Sequence, residues 1–282
     1  MSDQKVWFIT GATRGIGAEI ARVVLEAGHQ VVATGRSPEA VAKTLGQHEN
    51  LLIAKLDVTS DEQARAAVQA AVERFGRIDV LVNNAGYGQL GWFENVSDAQ
   101  IHRQFETNVF GAMSLTRLAL PIMRQQRSGY VFTISSIGGL SSSAGATIYC
   151  ASKFAVEGWM EGLAQEVSPL GIRTTIIEPG YFRSDFLDTS SVAYGEHKIE
   201  DYAEADQQAQ ASFGSMNHQQ HGDPAKLGKI MIQFTEMENP PLRFLAGSDA
   251  VQLAKEKVEA LRQGIEQWRE QSASTDGLER EA

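Results

Sequence analysis

Tyr149 and Lys153 lie four residues apart in Tyr149-Cys150-Ala151-Ser152-Lys153, and Ser136 precedes the tyrosine by thirteen positions. On a helix the i and i+4 side chains share a face, so an ammonium at 153 can favour ionisation of a phenol at 149. A phenol that exchanges its proton near neutral pH is a general acid/base. Unperturbed tyrosine ionises near ~10, and each unit of depression needs about 1.4 kcal/mol of preferential stabilisation of the phenolate. Alone, the Tyr/Lys spacing describes an ordinary helix surface equally well. In this chain it follows a glycine-rich turn that gives it context.

That turn is Gly11-Ala12-Thr13-Arg14-Gly15-Ile16-Gly17, which follows the apolar run Lys5 to Thr10 and precedes a helical pattern of Ile16, Ile20, Val23, Val24 and Ala27. The helix should stop at Gly28. Strand, glycine turn and helix in this order aim helix-start amides at an anion, and glycines let the backbone approach a pyrophosphate. The expected ligand is a dinucleotide. The spacing Gly-x3-Gly-x-Gly departs from the general G-x-G-x-x-G fingerprint.

Together with Asn83-Asn84-Ala85-Gly86, Ser136, Tyr149/Lys153 and Pro179-Gly180, this turn closely resembles the short-chain dehydrogenase/reductase family in its shorter form. The motifs run in family order from Lys5 to about Ser184, and a strand candidate at 242–246 extends the match. The resemblance implies a single α/β domain with a doubly wound, mainly parallel seven-stranded Rossmann sheet of order 3-2-1-4-5-6-7. It also implies roles. Tyr149 would give a proton to a carbonyl or take one from an alcohol, and Lys153 would lower the phenol pKa and bond the nicotinamide ribose. Ser136 would hold the substrate oxygen, while Ser135 and Ser141 to Ser143 compete with it on composition. Asn108 would anchor a water that relays protons to the lysine.

For the cofactor, the resemblance places Thr10, Gly11, Arg14, Gly15, Ile16 and Gly17 at the phosphates and Asp57-Val58 at the adenine. Asn84, Ala85 and Gly86 would follow the nicotinamide-side ribose, with Pro179, Gly180 and Ser184 near the carboxamide. At the end of the second strand, Thr34-Gly35-Arg36 carries no carboxylate for a ribose 2′-hydroxyl. Arg36 and Arg14 can instead clamp a 2′-phosphate, so NADP(H) is expected over NAD(H).

Strand candidates at 5–10, 30–34, 51–56, 78–83, 130–135, 172–178 and 242–246 alternate with helical patterns, which itself implies crossover helices and a parallel sheet. Ser60-x-x-Gln63 and Ser97-x-x-Gln100 read as capping boxes. Residues 1–250 are expected to form the domain, with a substrate-loop insertion, lid or plain elaboration, at about 181–241. Residues 251–282 read as an amphipathic helix and a polar tail. Val251, Ala254, Val258, Leu261, Ile265 and Trp268 form a narrow apolar seam, expected to pack back on its own domain, with a subunit contact as the alternative.

With 282 residues and 43% hydrophobic content the chain can bury a large core, and a net charge of −10 argues against a general affinity for nucleic acid or anionic membrane. The single cysteine, Cys150, rules out an internal disulfide and reads as packing. No apolar run reaches the ~18 residues of a membrane span, and a cytoplasmic location is expected.

The reading is an NADP(H)-dependent oxidoreductase acting on a small carbonyl or alcohol, with Tyr87, Leu90, Trp92, Leu140, Phe182, Phe186 and Leu187 as candidate walls of a hydrophobic pocket. Alternatives are a catalytically silent, cofactor-binding regulatory or scaffold protein and a nucleotide-sugar epimerase or dehydratase. The family commonly associates through the tyrosine helix and its neighbour, so a homo-dimer or tetramer is expected.

Overall fold

In the first strand, β1 (Val6–Ile9), Val6 and Phe8 enter one apolar cluster while Trp7 and Ile9 enter a second on the opposite side. A strand buried on both faces belongs in the middle of a sheet covered by helices on either side. The computed structural model, which describes residues 4–277 apart from 185, 187, 189, 190 and 217–219, has that architecture.

The other strands of the main sheet are β2 (Gln30–Gly35), β3 (Leu51–Lys55), β4 (Val80–Asn83), β6 (Gly129–Ile134), β7 (Ile172–Pro179) and β9 (Arg243–Ala246). Their order is β3-β2-β1-β4-β6-β7-β9, with parallel neighbours throughout. Counted without two short strands, this is the expected 3-2-1-4-5-6-7. The short strands, β5 (Gly88–Leu90) and β8 (Val192–Tyr194), pair with each other in a separate two-stranded sheet and were not legible as strands.

Helices α1 (Gly15–Glu26), α2 (Pro38–Leu45) and α8 (Pro224–Glu236) supply Ile20, Val24, Val41, Leu227 and Met231 to one cluster. On the other face, α3 (Asp61–Phe75), α5 (Gly111–Gln126) and α6 (Thr147–Val167) supply Ala64, Val68, Leu115, Met123, Val156 and Met160. Gly28, at φ 84°, follows the end of α1 as expected. Ser97 and Gln100 form the full capping box of α4 (Asp98–Phe105). At α3 only half of it forms, because Gln63 Oε1 accepts instead from the Asp57 amide, at 2.9 Å.

Two regions differ from expectation. Within 181–241, the first half holds β8 and α7 (Ala203–Met216), but α8 is an integral helix of the sheet's cover. Its Leu227, Met231 and Phe234 are core, and Gly228 lies close against Ile20 and Val23 of α1. That apolar spacing was masked by the polar residues before it. The C-terminal helix α9 (Ser248–Ala273) packs only the start of its seam on the domain: Ala254 is buried, as is Ala250 beside the seam, whereas Val258 is 65% exposed, Ile265 66% and Trp268 55%. Small residues let the helix start dock, and the seam beyond Ala254 lies exposed.

Candidate active site

The carboxyl ends of β1, β4, β6 and β7 converge on one edge, and each delivers a motif there. After β1 the chain turns through Gly11 at φ 67° and Gly15 at φ 60°, a left-handed backbone that favours glycine. A Cβ at Gly17 would come within 2.5 Å of the Gly11 carbonyl oxygen and would also strike the Asn84 amide, so α1 can approach this closely only with glycine there. Ser37, Ser60, Ser97 and Asp223 cap α2, α3, α4 and α8, whereas the first turn of α1 has neither a side-chain cap nor an acidic residue. Uncapped amides behind a glycine cradle fit the phosphates of a dinucleotide.

Thr10 and Asn84 brace the cradle. The Thr10 hydroxyl accepts from the amides of Asn84 (2.8 Å) and Ala85 (2.9 Å) and donates to Val82 O at 3.2 Å. The Asn84 side chain donates to the carbonyls of Thr10 (2.8 Å) and Gly11 (3.2 Å). Its amide is thus engaged with the turn itself, a structural role that the expected ribose contact did not include. Ala85 and Gly86 continue along the edge, and Gly86 lies against the Asn108 amide. Ile16 is partly buried beside the cluster of α1.

At the end of β2, Arg36 is exposed, and Gly35 lies against Thr13 of the glycine turn. Arg14 reaches across to the Ser191 hydroxyl at 2.8 Å. Asp57 caps its own turn by accepting from Thr59 N (3.0 Å) and Oγ1 (2.7 Å), and Val58 is buried against Gly111 at the start of α5.

Three chemistry-bearing side chains meet beyond β6. Ser136 Oγ accepts from Gly138 N at 3.0 Å and lies close enough to the Tyr149 phenol to favour its ionised form. A Cβ on Gly138 would lie 3.3 Å from Ser136 Oγ and Tyr149 Cε1, so the bare backbone of this turn spaces the two. Lys153 is buried, donates to Ile134 O at 2.9 Å, and sits 5.7 Å from the Tyr149 ring centroid. Burial pushes its ammonium down to about 8, with Glu157 pulling the other way. Burial likewise pushes the Tyr149 phenol above its ordinary value, opposed by the Ser136 hydrogen bond. The Lys153 ammonium is turned to a carbonyl here, and burial is the largest influence on the phenol. A phenol held protonated is a proton donor.

Asn108 lies in a π-helical turn (Glu106–Phe110) between α4 and α5 and is buried, not exposed. It grips the Tyr87 backbone in both directions, accepting from N at 3.1 Å and donating to O at 2.9 Å. Gln104, Gln89 and Ser152, which sequence reasoning passed over, extend this grip. Gln104 donates to Tyr87 O (3.1 Å) and Ser152 Oγ (3.3 Å) and accepts from Gln89 N (2.7 Å); Ser152 donates to Tyr149 O at 2.6 Å. Their only sequence signal was polarity at positions that face inward, on helices for Gln104 and Ser152 and on β5 for Gln89.

Pro179 ends β7, and Gly180 follows with its amide donating to Ala246 O at 2.9 Å. The Asp249 carboxylate at the start of α9 accepts from Tyr181 N at 2.6 Å and leaves no room for a Cβ on Gly180. Ser184 bends the loop back, with its Cβ 3.3 Å from the place a Cβ on Gly15 would take. Of the candidate walls, Phe186 lies nearest the chemistry, its ring centroid 5.6 Å from that of Tyr149. Leu90 is buried with Cys150 and Val192, near the partly buried Tyr149. Tyr87 and Leu140 are partly buried, and Trp92 stacks on Tyr202 at 5.5 Å. Phe182 is not a wall: it is buried in the cluster of α1 and α8, against Gly222. Leu187 lies outside the described residues.

Residues 5–194 match the family model described as short chain dehydrogenase. Oxidoreductase BOA17 of Botryotinia fuckeliana is 36% identical, over 96% of this chain and 99% of its own. The 3-ketodihydrosphingosine reductase of Bacteroides thetaiotaomicron is 35% identical, over 86% of this chain and 88% of its own. Among solved structures, a short-chain dehydrogenase from Streptomyces avermitilis has a TM-score of 0.89 at 37% identity, covering 97% of this chain and 100% of that one. ElxO with NADP bound has a TM-score of 0.68 at 27% identity, covering 84% of this chain and 93% of that one. The chain belongs to the short-chain dehydrogenase/reductase family of NAD(P)-dependent oxidoreductases.

Proposed function

We propose that the protein is an NADP(H)-preferring reductase or dehydrogenase of a hydrophobic carbonyl/secondary-alcohol pair. The observation that carries this is the convergence of Ser136, Tyr149 and Lys153 beside a glycine cradle backed by uncapped helix amides. Thr10, Gly11, Gly15, Ile16 and Gly17 would hold the pyrophosphate, Asp57 and Val58 the adenine, and Ala85, Gly86, Pro179, Gly180 and Ser184 the nicotinamide side. Bound there, the nicotinamide supplies or accepts the hydride. In reduction, Ser136 Oγ holds the carbonyl oxygen and Tyr149 Oη gives it a proton. Lys153 then stabilises the phenolate, with Asn108 fixing the local backbone from which a proton relay starts.

The NADP preference rests on Arg36, exposed at the end of β2 with no carboxylate beside it in Thr34-Gly35-Arg36, and NADP bound to ElxO supports it. A hydrophobic substrate is supported by Phe186 against Tyr149 and by the long-chain ketone in the name of the Bacteroides relative. In this reading residues 1–250 form the catalytic domain, the segment from 181 through α7 flanks the substrate, and 251–282 is an appendage. A homo-oligomer in the cytoplasm, built on α5 and α6, accounts for Phe110 and Phe154, which are 50% and 43% exposed.

The test is NADPH and NADH consumption over aldehydes, ketones and long-chain ketones with the parent and Tyr149→Phe. We expect turnover to prefer NADPH and to fall by about 10²–10⁴-fold in the variant. Arg36→Ala should weaken NADPH but not NADH. Unchanged turnover in Tyr149→Phe overturns the proton-donor assignment, and equal binding of NADH overturns the cofactor preference.

A further inference from the structure

Behind the Tyr149/Lys153 pair lies a buried cluster of charge that the reaction does not itself require. Glu157 is one helical turn beyond Lys153 on α6, and Glu178 is on β7 just before Pro179. Both are buried. Arg243, entering from β9, hydrogen-bonds Glu157 and also Glu178 (3.1 Å) through one nitrogen, and Glu161 (2.6 Å) through the other. Each buried carboxyl meets Arg243 through one oxygen and keeps the other, Glu157 Oε1 and Glu178 Oε2, without a hydrogen-bond partner. Two buried carboxyls on one guanidinium nitrogen disfavour each other's charge, which favours a proton on one of them. The groups facing the pair are Lys153 and Glu161 from α6, Arg243 from β9 and the Ser135 hydroxyl from the end of β6. Gly139 seals it, since a Cβ there would fall 2.7 Å from Ser135 Oγ and 2.9 Å from Glu157 Oε1.

We propose that Glu157 and Glu178, clamped by Arg243 and sharing one proton, are positioning residues that set the charge on Lys153 and so the pH range over which the Tyr149/Lys153 pair works. The proposal rests on the catalytic reading of that pair. Burial lowers the Lys153 ammonium and Glu157 raises it, so the charge on Glu157 decides how far the lysine stays protonated. Burial and the neighbouring Glu157 push Glu178 up to about 7, which keeps the shared proton in place near neutrality.

The two carboxyls then have opposite effects. Glu157→Gln removes the counter-charge, whereas Glu178→Gln removes the shared proton and leaves a full carboxylate at 157. Profiles of kcat/KM against pH should show the alkaline limb about one unit lower in the first variant and about half a unit higher in the second. Lysine Cε chemical shifts, titrated in parallel, should move Lys153 in the same two directions. A merely structural cluster predicts lowered thermal stability in both variants with the limb and the titration unmoved, and that result overturns the proposal. If Glu157→Gln does not fold, the sign of the shift in Glu178→Gln decides. Activity surviving in Tyr149→Phe removes the catalytic reading separately, and the Lys153 titration still reports whether the carboxyls control its charge.

Discussion

Helices α6 and α9, of 21 and 26 residues, treat charge and apolar surface in opposite ways. α6 buries Ser152, Lys153 and Glu157 next to Val156 and Met160, while α9 leaves Val258, Leu261, Ile265 and Trp268 in solvent. A buried ammonium costs free energy unless carbonyls and counter-charges receive it, and Ile134 and Glu157 do so here. An exposed Leu or Ile forgoes only the gain of burial. The strained helix is therefore the one that carries chemistry, and the relaxed one is attached to the domain by little more than two alanines and the Asp249 contact with Tyr181. Charge inside and apolar side chains outside are both departures from ordinary partitioning, but only the first has surroundings built to support it.

The largest effect that would sharpen this contrast is in the core of α6. Met160 is fully buried between the helix and the sheet, with its sulfur 3.1 Å from Thr133 Oγ1. Met160→Ala should lose about 2–5 kcal/mol in urea unfolding. A loss below about 1 kcal/mol would mean that α6 is not anchored as the packing indicates.

The difference between the helices also explains what could be read in advance. The seven strands and the Tyr149/Lys153 pair were legible from local facts, apolar runs between turns and an i, i+4 spacing, whereas the strand order and the choice of Ser136 came from the family resemblance. Which face of α9 meets the domain is not local. Its period announces a seam, but only Ala254 of that seam is buried, and docking is completed by Ala250 and Asp249, which no hydrophobic pattern singles out. α8 was missed for a related reason, its four-residue spacing being lost in a polar stretch. The grip of Asn108 on Tyr87 needed the π-helical turn, which adds one residue to the helix ring and has no sequence signature. Arg243 stood in plain view inside an apolar strand candidate. Only the fold brings it to Glu157 and Glu178.

A second, smaller effect tests whether the buried charge of α6 is a burden on the fold. The folded value of Lys153, about 8, lies below its ordinary 10.5, so the ammonium is worse off folded than unfolded. The resulting penalty is full below pH ~8, fades between ~8 and ~10.5, and is gone above that, where both states are neutral. Lys153→Met removes it and leaves Glu157 to Arg243. The variant should be inactive yet more stable than the parent at pH 7, by up to about 3 kcal/mol, with the gain shrinking toward pH 10. Denaturation series at both pH values check this. Equal stability at pH 7 would mean that Glu157 and the Ile134 carbonyl already offset the burial.

The smallest expected effect belongs to α9. Val258, Leu261 and Ile265 are 65%, 53% and 66% exposed, so replacing all three with glutamine removes little buried area from the folded domain. Helix propensity barely changes for leucine and improves slightly for the β-branched pair, because glutamine keeps its rotamer freedom on a helix. Thermal unfolding of the triple variant at micromolar concentration should stay within about 0.5 kcal/mol of the parent. A loss of 2 kcal/mol or more that depends on protein concentration would show that the seam is covered in solution, and α9 would then join α6 as a helix whose unusual face has a partner built for it.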